Sequence, residues 1–598
     1  MAIVNLTING IKIEAKVGQT VLEAATEAGI YIPTLCHHPA LEPIGACRIC
    51  VVEVSKFQPL YPACTYKVSE GLAVETHSER VEKVRRFVLE MLFSERNHHC
   101  MYCPRSGNCE LQDLGYRYGL DHWMYPTYVE PFAVDASRDT FLMDHNRCIL
   151  CRRCVRACAE LAANHTLGLR QRGARTMISA DLGLPLGSSS CVECGTCLQV
   201  CPTGALIDKR SAFLDMGPAV RIEQVKSTCS QCSLGCGIEI VVRGGQVVRV
   251  EGDWDAEPNH GLLCKKGRFD PLYDGRKRIT TPLIRRNGRL EVAGWDEAIE
   301  LAAERLGATP AAKLGVLASS HATNEALYLA NELFCRTLGV TNSRVLSPLP
   351  ATRLAPEASL ADVATSDVIV LTGADPVEEQ PVVSFLIKRA VDKGARLVLV
   401  DDTENRLATF SHVSFPMAGL DQAIALAARA DAPLVVYGSG VGRMGHHKLA
   451  ALERARFLAL QPGVNTRTAE ALGLENGFEA ASVEAVYVLL GEQAWDGKGL
   501  PTDGAFLVVQ ASYESSITEQ ADVVLPAAIW CEISGTLTNL EGRVHEINPA
   551  VEPRGEARLD WEILSLLARA MGQAPATWLD TLPALTPGAF HPRRIAHG

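Results

Sequence analysis

Residues 148–158 read CILCRRCVRAC and residues 191–202 read CVECGTCLQVCP, so one spacing, Cys-x2-Cys-x2-Cys-x3-Cys, is written twice. Eight thiols at such short intervals form a ligand set, because thiolate is a soft donor and a short loop can turn several sulfurs toward one place. The second copy ends on Pro202, whereas Cys158 is followed by Ala159. Zinc also takes four cysteines, often as Cys-x2-Cys pairs, and is the alternative metal for such groups.

The doubled run resembles the bacterial two-cluster ferredoxins, in which the fourth cysteine of each copy ligates the other copy's cluster. That resemblance implies one 4Fe-4S cluster on Cys148, Cys151, Cys154 and Cys201, and a second on Cys191, Cys194, Cys197 and Cys158. Two adjacent redox centres imply electron relay.

The chain has 598 residues, enough for several domains. Hydrophobic residues at 47% and charged residues at 21% are ordinary for globular proteins. A formal charge of −11 argues against nucleic acid as a partner. There is no apolar run long enough to span a bilayer and no basic-then-apolar leader at the start, so a cytoplasmic protein without a direct membrane span is expected. Of 21 cysteines, 19 precede residue 265. The metal chemistry is therefore expected in the N-terminal half.

In chain order, two alternating runs flank Asn9-Gly10, a strong hairpin signal. Thr20 and Glu23 form a capping box before an apolar face of Val21, Leu22, Ala25 and Ala28, and Gly29 stops that helix. A loop with Cys36, Cys47, Cys50 and Cys64 follows, four thiolates that can hold a 2Fe-2S cluster at a spacing wider than the plant-type run, with small Gly45 and Ala46 beside them. This order resembles the N-terminal ferredoxin-like domain of the large iron-sulfur subunit of respiratory complex I and of its relatives among NAD-linked hydrogenases and formate dehydrogenases. Residues 79–93 are expected to be helical, with Val81, Val84, Val88 and Leu92 inward and Arg and Lys between them.

Next come Cys100, Cys103 and Cys109, one thiol short of a set. Imidazole can complete it, with His98 the candidate and His99 the alternative. The complex I family usually has its histidine where this chain has Arg96; a histidine two residues before the first cysteine resembles the NAD-reducing hydrogenase and formate dehydrogenase branch. The last cysteine group, Cys229, Cys232, Cys236 and Cys264, resembles the 4Fe-4S subdomain that opens molybdopterin oxidoreductases, its distant fourth ligand returned by a hairpin about Gly244-Gly245. Lys266 matches the lysine those enzymes place between cluster and pterin, and without a pterin it is a surface lysine.

From about residue 271 short apolar runs at 314–317, 367–371, 396–400, 433–437, 486–490 and 506–509 alternate with helical segments such as 324–338 and 422–430, the pattern of a buried parallel sheet. Gly438-x-Gly440-x-Gly442 lacks the order of a dinucleotide fingerprint and reads as a strand-to-helix turn. The stretches 521–528 and 532–543, ADVVLPAA and EISGTLTNLEGR, resemble a signature shared by complex I large subunits and molybdopterin enzymes. Cys335 and Cys531 read as buried small hydrophobes, and the end from Gln573 as a loose tail. Around Ser347 the expected metal-binding cysteine and its neighbouring histidine are missing.

The resulting expectation has α+β iron-sulfur domains first, a plant-type ferredoxin β-grasp and then a two-cluster ferredoxin, followed by an α/β parallel-sheet molybdopterin-oxidoreductase-like domain. Its boundaries are 1–78, 79–135, 136–215, 216–270 and 271–598. The resemblance implies an electron-transfer subunit with one 2Fe-2S and four 4Fe-4S clusters and no molybdopterin, without a substrate site of its own. Implied partners are a flavin- and NAD-binding subunit, a small 2Fe-2S subunit and a further redox module: hydrogenase, formate dehydrogenase or membrane arm. A molybdenum formate dehydrogenase and a zinc-stabilised scaffold are the alternatives.

Overall fold

The computed structural model describes residues 2–54, 59–127, 131–212, 214, 222–347, 353–461, 463–474, 477–500 and 504–573. The chain divides into two compact units, 1–222 and 223–598. The tail beyond Gln573, and Pro348 beside Ser347, lie outside the described residues.

The first unit starts with the hairpin of β1 (Ile3–Ile8) and β2 (Ile11–Lys16). Asn9 and Gly10 both have positive φ, 53° and 77°, the backbone that a two-residue turn between twisted strands requires. Helix α1 (Val21–Glu27) carries the capping box: Glu23 N donates to Thr20 Oγ1 at 3.2 Å and Thr20 N to Glu23 Oε2 at 2.6 Å. With β3 (Val51–Val54), β4 (Leu60–Pro62) and β5 (Leu72–Glu75), the sheet runs β2-β1-β5-β3-β4, and β1 and β5 are parallel. Val21, Leu22, Ala24 and Ala25 pack on Leu6, Ile8, Val52 and Val74, each large side chain contributing roughly 1.5–3 kcal/mol.

Helix α2 (Glu79–Ser94) forms as expected, Val81 buried and Val88 and Leu92 packed at the core's edge, but the deepest stripe also takes in Arg85, Leu89 and Phe93. Val81, Arg85, Leu89 and Phe93 are buried, while Val84, Val88 and Leu92 are half-exposed. Arg85 is inside because it has acceptors there: Ile49 O at 3.1 Å, Val51 O at 2.8 Å and the Tyr118 hydroxyl at 3.2 Å. It therefore ties α2 to the Cys47–Cys50 loop and β3. Helix α3 (Glu110–Arg117) follows; then β6 (Phe141–Met143) pairs with β9 (Leu206–Asp208), and β7 (Leu167–Arg170) with β8 (Met177–Ala180).

The second unit begins with an antiparallel sheet of β10 (Glu223–Thr228), β11 (Gly237–Arg243) and β12 (Gln246–Gly252), turned at Gly244 and Gly245 with φ of 57° and 74°. The remaining strands are β13 (Leu283–Arg286), β14 (Arg289–Val292), β15 (Leu314–Ala318), β16 (Asn342–Val345), β17 (Val368–Thr372), β18 (Arg396–Val400), β19 (Val413–Phe415), β20 (Pro433–Tyr437), β21 (Arg456–Ala459), β22 (Ala485–Gly491), β23 (Phe506–Ala511) and β24 (Val523–Pro526), then the hairpin of β25 (Gly535–Thr538) and β26 (Val544–Ile547). They make two large sheets rather than one. A mixed sheet runs β14-β13-β24-β23-β22-β15-β16, and an all-parallel one runs β19-β18-β17-β20-β21. The β13–β14 hairpin makes the antiparallel edge of the first. All residues of β15, β17 and β20 are buried, which is why these strands read as unbroken apolar runs.

The helix expected over 324–338 is α-helical at Asn324–Ala330 and widens to a π-turn at Asn331–Thr337, and that expected over 422–430 spans Leu420–Ala427. Gly438–Gly442 is a strand-to-helix turn, and a Cβ on Gly438 would lie 2.5 Å from Gly373 O. Among the described residues no helix is long and apolar enough to cross a membrane.

Replacing Arg85 with Leu strands two buried carbonyls, each costing about 1–3 kcal/mol. Arg85→Leu is expected to lower the thermal midpoint of the N-terminal unit in calorimetry, by an amount equivalent to about 3 kcal/mol.

Candidate thiolate sites

The two copies of the repeated spacing adopt one backbone. Leu150 and Glu193, each third in its copy, have φ of 53° and 52°; Arg152 and Gly195, each fifth, have 59° and 69°. Left-handed residues wind the loop tightly, so that amide N–H groups face the sulfurs. Leu150 N donates to Cys148 Sγ at 3.4 Å, and the amides of Arg153 and Glu193 donate to Cys151 and Cys191. Three of these four left-handed residues carry side chains.

Cys148, Cys151, Cys154 and Cys201 line one apolar cavity with Ile149 and Ile178. Burial pushes the Cys148 thiol up to about 11, and the Cys151 and Cys154 thiols upward as well, Cys201 adding to each. Cys158 lies with Cys191, Cys194 and Cys197: burial raises the Cys191 thiol to about 11, and Cys194 and Cys158 add to it. Cys158 also accepts from the amides of Thr166 and Leu167. Cys154 and Cys197 are each within electrostatic reach of Cys201, so the two groups adjoin.

In the N-terminal loop Cys36 pairs with Cys47 and Cys50 with Cys64. The Cys47 thiol is the main cause holding Cys36 down at about 5, opposed by burial and helped by the amides of Cys47 and Ala46; Cys47 N lies 3.4 Å from the Cys36 sulfur. Cys64 is lowered chiefly by Cys50, and Gly45 N also donates to it. Gly45 has φ of 60° and Arg48 of 61°. Cys100, Cys103 and Cys109 share a second cavity with His98, whereas His99 is not among its lining residues. Burial drops the His98 imidazole to about 4, so it is a neutral donor, and its ring stacks edge-on against Phe93 at 5.9 Å. Arg96 is turned away, with φ of 66°, donating to His145 O at 2.8 Å and lying 4.8 Å over the Phe132 ring.

Sequence reasoning missed several supports. Arg156 donates to the carbonyls of Cys36 and Glu42, and Arg153 holds Glu110 through two bonds of 2.6 and 2.8 Å. A Cβ on Gly204 would lie 2.7 Å from Cys103 Sγ, and one on Gly267 would lie 3.1 Å from Cys229 Sγ. A glycine three residues after a candidate ligand cysteine, Cys201 or Cys264, is the signal that could have found these two.

In the second unit Cys229, Cys232, Cys236 and Cys264 are all buried. Gln231 N donates to Cys229, Leu234 N to Cys232, and the amides of Lys266 and Gly267 to Cys264, whose thiol burial raises to about 12. Asn259 returns the distant fourth thiol: it accepts from Gly237 N at 2.8 Å and donates to Gly237 O and Leu262 O at 3.0 and 2.7 Å. Lys266 donates to Glu378 O. Ser347 is hydrogen-bonded to Ser320, the hydroxyls 2.6 Å apart.

Next to this loop, a cavity of about 440 Å³ is lined by Gln231, Arg276, His321, Glu492 and Asp560. His321 follows β15 and Glu492 follows β22, and β15 has β16 on its other side, so the cavity lies where the strand order reverses, the crevice that open sheets use for ligands. His321 Nδ1 is 3.0 Å from Ser230 O. Burial pushes the Glu492 carboxyl up to about 8 and that of Asp560 to about 6.

The cofactor inventory expected from the motifs, one 2Fe-2S and four 4Fe-4S clusters, is corrected. Among the described residues no group of three or more His, Cys, Asp or Glu converges so as to hold a metal ion. A bound ion needs donors at about 2.3 Å from one point, whereas Cys148, Cys151, Cys154 and Cys201, and likewise Cys100, Cys103 and Cys109, line cavities. The donor chemistry remains apt for iron and sulfide: enclosed thiols, each loop carrying amide donors to sulfur.

Thiolate loops ahead of paired α/β sheets define a class, iron-sulfur domains joined to a molybdopterin-oxidoreductase fold. Family models match accordingly: a 2Fe-2S iron-sulfur cluster binding domain at 2–79, the NADH-ubiquinone oxidoreductase-G iron-sulfur binding region at 85–123, the ferredoxin-like domain of NADH-quinone oxidoreductase subunit 3 at 139–207, the molybdopterin oxidoreductase Fe4S4 domain at 222–271 and molybdopterin oxidoreductase at 278–570. The 78 kDa subunit of mitochondrial NADH-ubiquinone oxidoreductase from Neurospora crassa is 30% identical over 95% of this chain and 81% of its own length. An NADH-quinone oxidoreductase subunit of Rhizobium meliloti is 32% identical over 68% of this chain, which spans about half, 48%, of that relative. A solved NAD+-reducing [NiFe]-hydrogenase in its H2-reduced state is 38% identical over 35% of this chain and 89% of its own, with a TM-score of 0.34. The chain belongs to the family that contains the 78 kDa subunit of NADH-ubiquinone oxidoreductase and subunit 3 of NADH-quinone oxidoreductase.

Glu492 and Asp560 give stability a pH dependence of definite sign. Their folded carboxyls hold protons that the unfolded chain releases near the ordinary values of 4.5 and 3.8, so the folded state loses stability as pH rises through the folded values of about 8 and about 6. Scanning calorimetry from about pH 5 to about pH 9 is expected to show a falling midpoint for the second unit, and Glu492→Gln a flatter profile. An unchanged slope in Glu492→Gln would contradict the assignment.

Proposed function

We propose that this chain is an iron-sulfur electron-transfer subunit of an NADH-linked oxidoreductase complex. The observation that carries it is the shared left-handed winding of 148–154 and 191–197, which aims amides at sulfur in both copies. Iron-sulfur centres, when bound, supply one-electron redox chemistry whose potential follows sulfur hydrogen bonding and solvent exposure. The ligand sets we propose are Cys36, Cys47, Cys50 and Cys64; His98, Cys100, Cys103 and Cys109; Cys148, Cys151, Cys154 and Cys201; Cys191, Cys194, Cys197 and Cys158; and Cys229, Cys232, Cys236 and Cys264. The domain boundaries proposed with them are 1–78, 79–135, 136–215, 216–270 and 271–598.

The chain's own residues have definite tasks. Arg156 and Arg85 fix the backbone of the loop holding Cys36, Cys47 and Cys50, and Phe93 holds the His98 ring. The neutral imidazole leaves a ring nitrogen lone pair for a metal. Asn259 keeps Cys264 beside the other three thiols of its set.

Hydride carries two electrons, and splitting them for one-electron carriers is flavin chemistry. The proposed partners are therefore a flavin- and NAD-binding subunit, a small 2Fe-2S subunit and a further redox module, in the cytoplasm. EPR of the dithionite-reduced chain tests the histidine. His98→Ala is expected to change one component of the spectrum and His99→Ala none; the reverse pattern would move the ligand, and unchanged spectra in both would remove histidine from the set.

A further inference from the structure

The hairpin of β7 and β8 and the turn after it combine two features that the sites above do not use. Three large apolar side chains are exposed there: Leu169 at 46%, Leu184 at 49% and Leu182 at 106%, fully open to solvent. Arg170, at the end of β7, and Arg172, in the turn between the two strands, are both exposed. Residues 165–180 contain no carboxylate, in a chain whose formal charge is −11. The carboxylate of Asp181 is turned back to Ser190, accepting from its amide and, at 2.9 Å, from its hydroxyl.

Leu182 stands fully exposed at the tip of the turn. It has φ of 62°, where a side chain is strained and glycine is preferred, and it presents its whole apolar surface to water. The turn that holds it is nevertheless fixed: Asp181 N donates to Thr166 O and Leu184 N to Ala180 O, both at 3.0 Å. Arg170 lies against the tip, since a Cβ on Gly183 would be 2.8 Å from its guanidinium. Beneath, Leu169 is paired with Ile178, which lines the cavity of Cys148, Cys151, Cys154 and Cys201. The knob is thus pre-organised, which lowers the ordering cost of association.

We propose that this hairpin and turn form a docking surface for an acidic protein segment with exposed apolar side chains. The positive island attracts carboxylates in an otherwise acidic chain, and Leu182 enters an apolar pocket on the partner. Both cations are arginine, whose planar fork pairs two-pronged with carboxylates. Residues 165–184 hold no Trp, Tyr or Phe, the side chains that mark a membrane-interface anchor. The proposal does not depend on which metal the thiols hold.

The test uses the full chain and a fluorescent peptide of about sixteen alternating Glu and Leu residues, followed by anisotropy at increasing salt. Wild type is expected to bind with an affinity that falls as salt rises; Arg170→Glu with Arg172→Glu is expected to weaken it by about tenfold or more. Leu182→Gly separates binding from folding. Glycine relieves the left-handed strain, so its thermal midpoint should hold or rise while binding falls severalfold. Equal binding by all variants overturns the proposal. So does binding to phosphatidylglycerol vesicles but not the peptide, which assigns the knob to a lipid surface, and so does a dimer in light scattering that Leu182→Gly dissociates.

Discussion

Burying sulfur donors without leaving them unsolvated is the constraint on which this structure depends. A thiolate enclosed in apolar surroundings is costly, and the compensation is hydrogen bonding from the backbone itself. Because the donors are amides of the same short loop, the loop must turn back on its own cysteines. That demand explains φ values of 53° at Leu150, 59° at Arg152 and 52° at Glu193, where side-chain-bearing residues accept a strained backbone. Burial, and then the neighbouring thiols, raise the pKa of Cys154 and Cys197, which favours their protonated form.

The rest of the N-terminal unit holds these loops in place. Arg85 is fully buried in α2 and reaches the carbonyls of Ile49 and Val51, one on each side of Cys50. Arg156, placed just after Cys154 in the first copy of the repeat, reaches the carbonyl of Cys36. Guanidinium groups suit this work because they stay charged and present several donors in a fixed plane. In the second unit an uncharged side chain, Asn259, does the equivalent, closing the loop between Cys236 and Cys264.

The fold was legible where local chemistry decides it. Asn9-Gly10, the Thr20–Glu23 box, Gly244-Gly245 and the apolar runs at β15, β17, β18, β20, β22 and β23 stand where their residue types put them. Long-range choices were not legible. The burial of Arg85 in α2 is decided by carbonyls at 49 and 51 that periodicity cannot see, and the division of one parallel region into two sheets depends on strand order. The cysteine groupings were visible as spacing, yet the cofactor inventory drawn from them went further than donor geometry among the described residues supports. Gly204 and Gly267 read as ordinary loop glycines until their distance to sulfur is known.

The central claim is that these thiol loops serve iron and sulfide rather than zinc. Iron, acid-labile sulfide and zinc measured together on anaerobically purified full chain decide it most directly. The account predicts iron and sulfide in nearly equal amounts, as in both common cluster types, with zinc a minor component. Zinc as the dominant metal with no labile sulfide, persisting after anaerobic incubation with iron and sulfide, would contradict it.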